Sequence, residues 1–340
     1  MKPIKRVLQQ LFDRYDYIRY KRRIVIGDAD YHWCNIPVPV GYPKQSQTHP
    51  SIRFFSEKWR GYSYWMATTP YPGERVEYEN PCIYRSNDSI VFSPINQNPI
   101  LKHPGGAAYN SDPELFLFED ILYCIVRENE NSRYLREIKL LNSIDGQIWS
   151  KPFTIYTSNE EDRQLLSPSY VRRLDKHLIY FLNGDAGIGR NGKCTGIEIA
   201  EADDLNMLFR FSSNGCFLNQ EEVGIEPWHF DLFEYEHRLY MVLCARDRNK
   251  RTLRNPMYTY LAVSDDYINF SIYKNPIVRY LKSYRPSAYV DDSGIFHLYF
   301  SIIGSFLKDH SDRNIARTSI PFDYLLNMIS KCSMDEQIVS

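Results

Sequence analysis

Five X-Pro pairs recur along the chain, at His49-Pro50, Asp112-Pro113, Ser167-Pro168, Glu226-Pro227 and Arg285-Pro286, and an apolar strand follows each at once. The prolines lie 63, 55, 59 and 59 residues apart. A second apolar segment comes soon after each pair, as in Leu122–Val126, Leu178–Leu182, Leu239–Leu243 and Ile295–Phe300. A period near sixty with two or more strands per unit is what a β-propeller blade needs. Proline cannot donate to a strand ladder, so it is confined to strand starts and edges, and the innermost strand of a blade is such an edge. Proline also biases the preceding residue toward extended backbone, which fixes where that side chain points. The spacing therefore predicts one ring of side chains, His49, Asp112, Ser167, Glu226 and Arg285, at one mouth of a central channel. Taken singly, X-Pro pairs are ordinary turn punctuation among 19 prolines; the regular spacing is what argues for the ring.

A second repeat is interleaved with the first. Ser86-Asn87-Asp88 is followed by Phe92, Ser143-Ile144-Asp145 by Trp149, and Ser264-Asp265-Asp266 by Phe270. Ala202-Asp203-Asp204 with Leu208 is a degenerate copy. Ser and Asp at these offsets bond the backbone of a tight turn, and the aromatic opens an outer strand and packs between blades. A fifth copy, due near position 323, is not recognisable. The fold class expected is all-β, a single five-bladed propeller of four-stranded antiparallel blades over residues 31–325. Residues 1–30 are read as an N-terminal helix and closing strand, and residues 326–340 as a C-terminal tail.

The helix rests on Val7, Leu8, Leu11, Phe12, Tyr15 and Ile18, spaced by threes and fours within a stretch holding eight Lys or Arg and two Asp. Such a basic amphipathic helix packs its apolar side on the following domain or lies on a membrane surface; the first is the expectation. Ile24-Val25-Ile26 reads as a short strand that completes the last blade. The whole chain balances 41 basic against 42 acidic residues, so charge gives no argument for a nucleic-acid partner. There is no secretory pattern and no apolar run long enough to span a bilayer, which leads to a cytoplasmic expectation. The 7 cysteines are scattered without CxxC pairs, and are read as reduced, mostly buried thiols. No metal and no cofactor is expected. Gly187-Ile188-Gly189-Arg190-Asn191-Gly192 lacks the lysine and βαβ context of a phosphate-binding loop and reads as a blade loop.

The two repeats together resemble the five-bladed propeller glycosidases, the clan that holds glycoside hydrolase families 43, 32, 68 and 130, over residues 49 to about 320. Ser111-Asp112-Pro113-Glu114-Leu115-Phe116 resembles the clan's second-blade Asp-Pro motif, whose aspartate tunes the acid and orients substrate. Ile225-Glu226-Pro227-Trp228 is similar to the short motif that carries the general acid. The resemblance implies a protein acting on an oligo- or polysaccharide in the funnel by carboxylate chemistry. Two positions depart from the pattern: His49 stands where the first-blade aspartate would be, and Ser167 where the third blade would bring the acid. A glycosidase, a phosphorylase or transferase variant, and a non-catalytic glycan-binding or polysaccharide-assembly protein therefore all stay open.

Glycosidic cleavage needs two carboxyl groups across one bond, one of them kept protonated. Asp112 and Glu226, from blades two and four, are the candidate pair, with His49 as a further acid or base. Arg285 is a candidate for holding an anionic group, and Glu79, Ser167, Trp228 and Arg127 are candidate substrate contacts. Glu79 enters from the mouth side; a plain salt bridge to Arg53 or Arg75 is the alternative. Thr69, Tyr71, Glu128, Asp185, Arg190, Arg246, Asp247 and Arg254 are expected on loops at the same mouth. His229 and Asp231 are read as structural.

Overall fold

The computed structural model describes residues 24–161, 163–184, 193–212, 215–248, 257–279, 283–303 and 313–331, together with residues 7, 8, 11 and 15. Five sheets, antiparallel except at one outer edge, are arranged as five blades. The inner strands are Gln47–Trp59, Ala108–Phe118, Leu166–Arg173, Ile225–Tyr235 and Ser283–Val290. Each pairs with the next strand in sequence, Tyr62–Pro70, Ile121–Glu130, Lys176–Gly184, Arg238–Asp247 and Ile295–Ile303 respectively. Third strands follow at Cys82–Ser86, Leu135–Ser143, Cys194–Ala202, Met257–Ser264 and Arg313–Pro321. In blade four, Phe217–Leu218 adds a parallel fifth strand outside Asn269–Ile272.

What closes the disc is packing between blades. Apolar side chains of one face of a blade meet those of the next, giving five buried clusters, one for each pair of neighbours including blade five against blade one. Trp65, Tyr84, Phe181, Phe230 and Phe296 are fully or almost fully buried there, and such aromatic bodies dominate core energetics.

The Ser/Asp repeats do the turn work expected of them. Asp88 Oδ1 accepts from the backbone N–H groups of Ile90 and Val91, Asp145 Oδ1 from Gln147 and Ile148, and Asp266 Oδ1 from Ile268 and Asn269. Phe92, Trp149 and Phe270 are buried. In the degenerate copy Asp204 caps Asn206, but the buried aromatic is Phe209, and Leu208 is exposed. The missing fifth copy has a structural cause. The outer strand of blade five is Tyr31–Trp33, paired to Arg313–Pro321, so no turn leads outward from that third strand.

That closing strand lies just beyond the Ile24-Val25-Ile26 segment expected to fill the role. Val25 makes only a single bridge to Val278, while Ile24, Val25 and Ile26 are buried in the cluster between blades four and five. After its third strand the chain turns into a helix, Phe322–Lys331, whose Phe322, Leu325 and Ile329 enter the same cluster. The expected tail from residue 326 is thus helical as far as Lys331, and residues 332–340 lie outside the described residues. Most of the expected N-terminal helix also lies outside them; Val7, Leu8, Leu11 and Tyr15 are helical and exposed. The described cysteines are free thiols. No helix among the described residues is long and apolar enough to cross a membrane.

Candidate functional site

The inner strands all begin with a register break at the same level of the channel: Thr48/Ser51, Ser111/Glu114, Leu166/Ser169, Pro227/His229 and Tyr284/Pro286. At these bulges His49, Asp112, Ser167 and Arg285 take positive φ angles of 52°, 49°, 51° and 33°. The expected extended backbone before proline is therefore not what is found. A bulge residue is released from the ladder and re-aimed, and left-handed backbone at a non-glycine costs on the order of 1–3 kcal/mol.

The fifth member of the ring is His229. The level beneath the ring is Ser51, Glu114, Ser169, Asp231 and Ser287. Ser51 Oγ accepts from Leu115 N, Ser169 Oγ from Leu232 N and Ser287 Oγ from Ile52 N, while Ser287 and Ser169 donate to Asp231. Asp231 therefore corresponds to Glu114, and His229, two residues earlier, to Asp112. Glu226 lies three residues before the ring position. Its carboxylate accepts from Arg248 Nε at 2.8 Å and from the backbone N–H of Cys194, and a terminal nitrogen of Arg248 lies 2.6 Å away as an ion pair. It is not among the residues lining the cavity. The expected pair of Asp112 facing Glu226 is replaced by Asp112 facing two histidines.

The cavity above the ring has a volume of about 720 Å³ and is lined by His49, Glu79, Asp112, Arg127, Trp228, His229 and Tyr284, among others. Asp112 sits at its floor. Its Oδ1 is 3.7 Å from His49 Nε2, 3.5 Å from His229 Nδ1 and 3.5 Å from a terminal nitrogen of Arg285, and it is buried without a hydrogen bond. Arg127 approaches Oδ2 at 4.0 Å and donates to Ser111 Oγ at 3.0 Å.

Both imidazoles are held by further partners, on His49 Nδ1 and His229 Nε2, which face away from Asp112, and also on the two nitrogens that face it. His49 Nδ1 lies 2.7 Å from Thr69 Oγ1 and 3.2 Å from Glu79 Oε1. His229 Nδ1 lies 2.7 Å from Ser167 Oγ, and the Tyr284 hydroxyl bridges the two rings at 3.2 and 2.9 Å. Burial lowers the pKa of both histidines, that of His229 to about 3, against the pull of Asp112. Burial would raise Asp112, but its neighbours overcome this and hold it well below the carboxylate range. The lowering comes from His229 and His49 first and from Arg285 and Arg127 after them; where the imidazoles are neutral, the two arginines are the charges that remain beside Asp112. Glu79 goes the other way: burial first, then Asp112, push it up to about 8.

Two neutral imidazoles and one ionised carboxylate thus converge, with ligand atoms all within 4.8 Å of one another. That donor set suits a divalent cation of the zinc or manganese kind. The orphaned Asp112 Oδ1, and the grip of Thr69 and Glu79 on the far nitrogen of His49, fit such a group, because ligating histidines are oriented through their other nitrogen. No spacing motif announces this cluster, since its members come from three blades.

Of the remaining expected site residues, Arg285 and Ser167 are fully buried at ring level and line no part of the cavity. Arg285 therefore braces Asp112 from below and is not placed to meet a substrate anion. Glu79 pairs with neither alternative; Arg53 binds Glu114 and Arg75 binds Glu77. Glu128 pairs with Lys139, and Arg246 lies 5.6 Å over the Trp228 ring. Asp185, Arg190 and Arg254, and the loop 187–192, lie outside the described residues. Sequence reading missed Tyr284, Arg136, Gln164 and Arg313, all in the cavity wall.

No family model and no curated protein matches the sequence. Solved structures do. An N-acetylgalactosamine deacetylase from F. plautii, in complex with blood group B trisaccharide, superposes with a TM-score of 0.73 at 20% identity, over 88% of this chain and 96% of that one. A GH43_1 enzyme from Xanthomonas citri gives 0.58 at 12% identity, over 89% and 93%. Zg3597, a family 117 glycoside hydrolase from Zobellia galactanivorans, gives 0.60 at 12%, over 86% and 91%. The fold is that of the five-bladed propeller glycoside hydrolases. At these identities the likeness is one of architecture, so the chemistry has to come from the ring.

Proposed function

We propose that this protein is a hydrolase of a glycan bound in the funnel, and that it removes an acyl group with the help of a divalent cation at His49, Asp112 and His229. The observation that supports this most is the composition of the ring. The expected carboxylate opposite Asp112 is absent, and two neutral histidines face it within ligand distance of each other. The similarity to a propeller whose stated activity is deacetylation of N-acetylgalactosamine agrees with it.

A cation held there supplies Lewis-acid polarisation of an acyl oxygen and a water nucleophile at neutral pH. The residues of the chain do the rest. Asp112 is held in its ionised form by its neighbours, and Thr69 fixes the far nitrogen of His49 as Tyr284 fixes that of His229, which sets the orientation of both rings. Glu79 faces the cavity beside His49 and carries its proton up to about pH 8 in the cation-free chain. It is placed to give that proton to the departing nitrogen or oxygen when the tetrahedral intermediate collapses; the proton that water sheds goes to solvent, which afterwards reprotonates Glu79. Trp228 offers an aromatic wall for a sugar face.

A second reading is favoured by one observation. Glu79 and Asp112 are two carboxyl groups at one cavity whose surroundings push their pKa values apart, the pattern of an acid with an ionised partner in glycoside hydrolysis. One experiment separates the readings. Chain stripped with EDTA and reloaded with Mn²⁺ or Zn²⁺ is assayed for acetate release from N-acetylhexosaminides and for phenol release from aryl glycosides. Cation-dependent acetate release, lost in Asp112→Asn, is the expected result. Phenol release independent of cation and lost in Glu79→Gln would select the glycosidase. Sugar binding with neither activity would select a glycan-binding or polysaccharide-assembly protein.

A further inference from the structure

One wall of the cavity is cationic in a way that the chemistry at the ring does not use. Arg136, near the start of the third strand of blade two, is 1% exposed and lines the cavity beside Arg127, Gln164, Tyr109 and Tyr134. The one hydrogen bond of its guanidinium among the described residues runs from a terminal nitrogen to Gln164 Oε1 at 3.1 Å. Nε and the other terminal nitrogen have none. Among the described residues no carboxylate lies within ion-pairing distance of it, whereas Arg313 has Glu74 at 3.7 Å and Arg53 has Glu114.

Gln164 is not free to turn away. Its amide nitrogen donates to Glu161 O at 2.7 Å, and its backbone carbonyl accepts from Arg127 Nε at 2.7 Å. The amide oxygen is therefore held toward Arg136. The Tyr134 ring lies 5.7 Å from the guanidinium carbon. Burial, followed by repulsion from Arg127, disfavours the charged form of Arg136. A buried guanidinium with unused donors and a second cation beside it is costly to the fold. That cost is relieved when an anion enters, since guanidinium bonds to carboxylate or sulfate are charge-assisted.

We propose that the blade-two wall is an anion subsite, in which Arg136, supported by Gln164 and Arg127, receives the carboxylate or sulfate of an acidic sugar. This rests on the reading of the funnel as a glycan site and narrows it to glycans that carry acidic residues. The subsite lies on the cavity wall, outside the His49, Asp112 and His229 cluster, so it selects substrate and leaves the reaction to the ring.

The test is binding of methyl glycosides of glucose and galactose, of their uronic acids and of their 6-sulfates to the full chain, by saturation-transfer NMR and calorimetry. At least one acidic sugar should bind about tenfold or more tightly than its neutral counterpart. Arg136→Met should abolish that preference and leave the affinity for neutral sugar unchanged, while Arg136→Lys retains part of it. The uronate and sulfate arms identify which anion is preferred. Because no carboxylate among the described residues pairs with Arg136, Arg136→Met should melt at the wild-type temperature or above, which a purely structural arginine would not allow. Equal binding of acidic and neutral sugars, or a preference that survives in Arg136→Met, overturns the subsite alone. Inorganic sulfate binding as tightly as every acidic sugar also overturns it, as an anion site without a glycan. No binding of any sugar removes the glycan reading and the subsite with it.

Discussion

Glu79 and Asp112 are buried carboxyls at one cavity, separated by the His49 ring, and they hold opposite protonation states. For Glu79 the pKa rises from 4.5 to about 8 on folding. Between those values the folded chain keeps a proton that the unfolded chain has released, so stability falls as pH rises through that window. Glu114, pushed up to about 7 by burial against the pull of Arg53, acts in the same direction. The histidines act in the other: their depressed values mean that below about pH 6.5 the unfolded chain takes protons the folded chain refuses, so stability falls on acidification. Cation-free protein should therefore be most stable at mildly acidic pH, where the two effects balance, and should lose stability as pH rises through neutrality. Thermal unfolding across pH 5–9 checks this. Glu79→Gln should flatten the alkaline limb except for the share of Glu114; an unchanged limb in that variant would show that Glu79 is ionised in the fold.

At the scale of the element, the tight turn between strands three and four shows how little slack the blades carry. Gly146 follows the Ser143/Asp145 cap with φ 72°, and a Cβ there would overlap the indole of Trp65 from the neighbouring blade. Gly146→Ala combines a left-handed backbone with overpacking of a fully buried ring, and should cost about 2–4 kcal/mol in denaturant unfolding. A loss below 1 kcal/mol would mean that the two blades separate easily at this contact. The elements were largely legible in the sequence. Each of the five inner strands starts one to four residues before an X-Pro pair, so the pairs located the strands even though the prolines sit at bulges inside them. Blade four misled, since Glu226-Pro227 imitates the pattern three residues early. The better signal was a polar side chain on both sides of the proline: His49-Pro50-Ser51, Asp112-Pro113-Glu114, Ser167-Pro168-Ser169 and Arg285-Pro286-Ser287. Blade four keeps it with phenylalanine in the proline's place, as His229-Phe230-Asp231. The cavity wall was less legible. Arg136, Gln164 and Tyr284 come together only through the twist and closure of the disc, which no local pattern records.

For the whole molecule, the consequential fact is that His49, Asp112 and His229 belong to blades one, two and four. A ligand bound by all three ties together parts of the ring that no hairpin connects. Binding to the folded chain alone stabilises it by mass action, about 2.7 kcal/mol when the free ligand stands at a hundred times its dissociation constant. The most direct measurement is titration of Mn²⁺ and Zn²⁺ into EDTA-treated protein, followed by calorimetry and by melting temperature, for wild type and for Asp112→Asn, which preserves shape and removes the anionic ligand. The account predicts one cation per chain and a melting temperature that rises with its concentration in wild type, both lost in Asp112→Asn. Binding of neither cation, or binding that Asp112→Asn leaves intact, would contradict it.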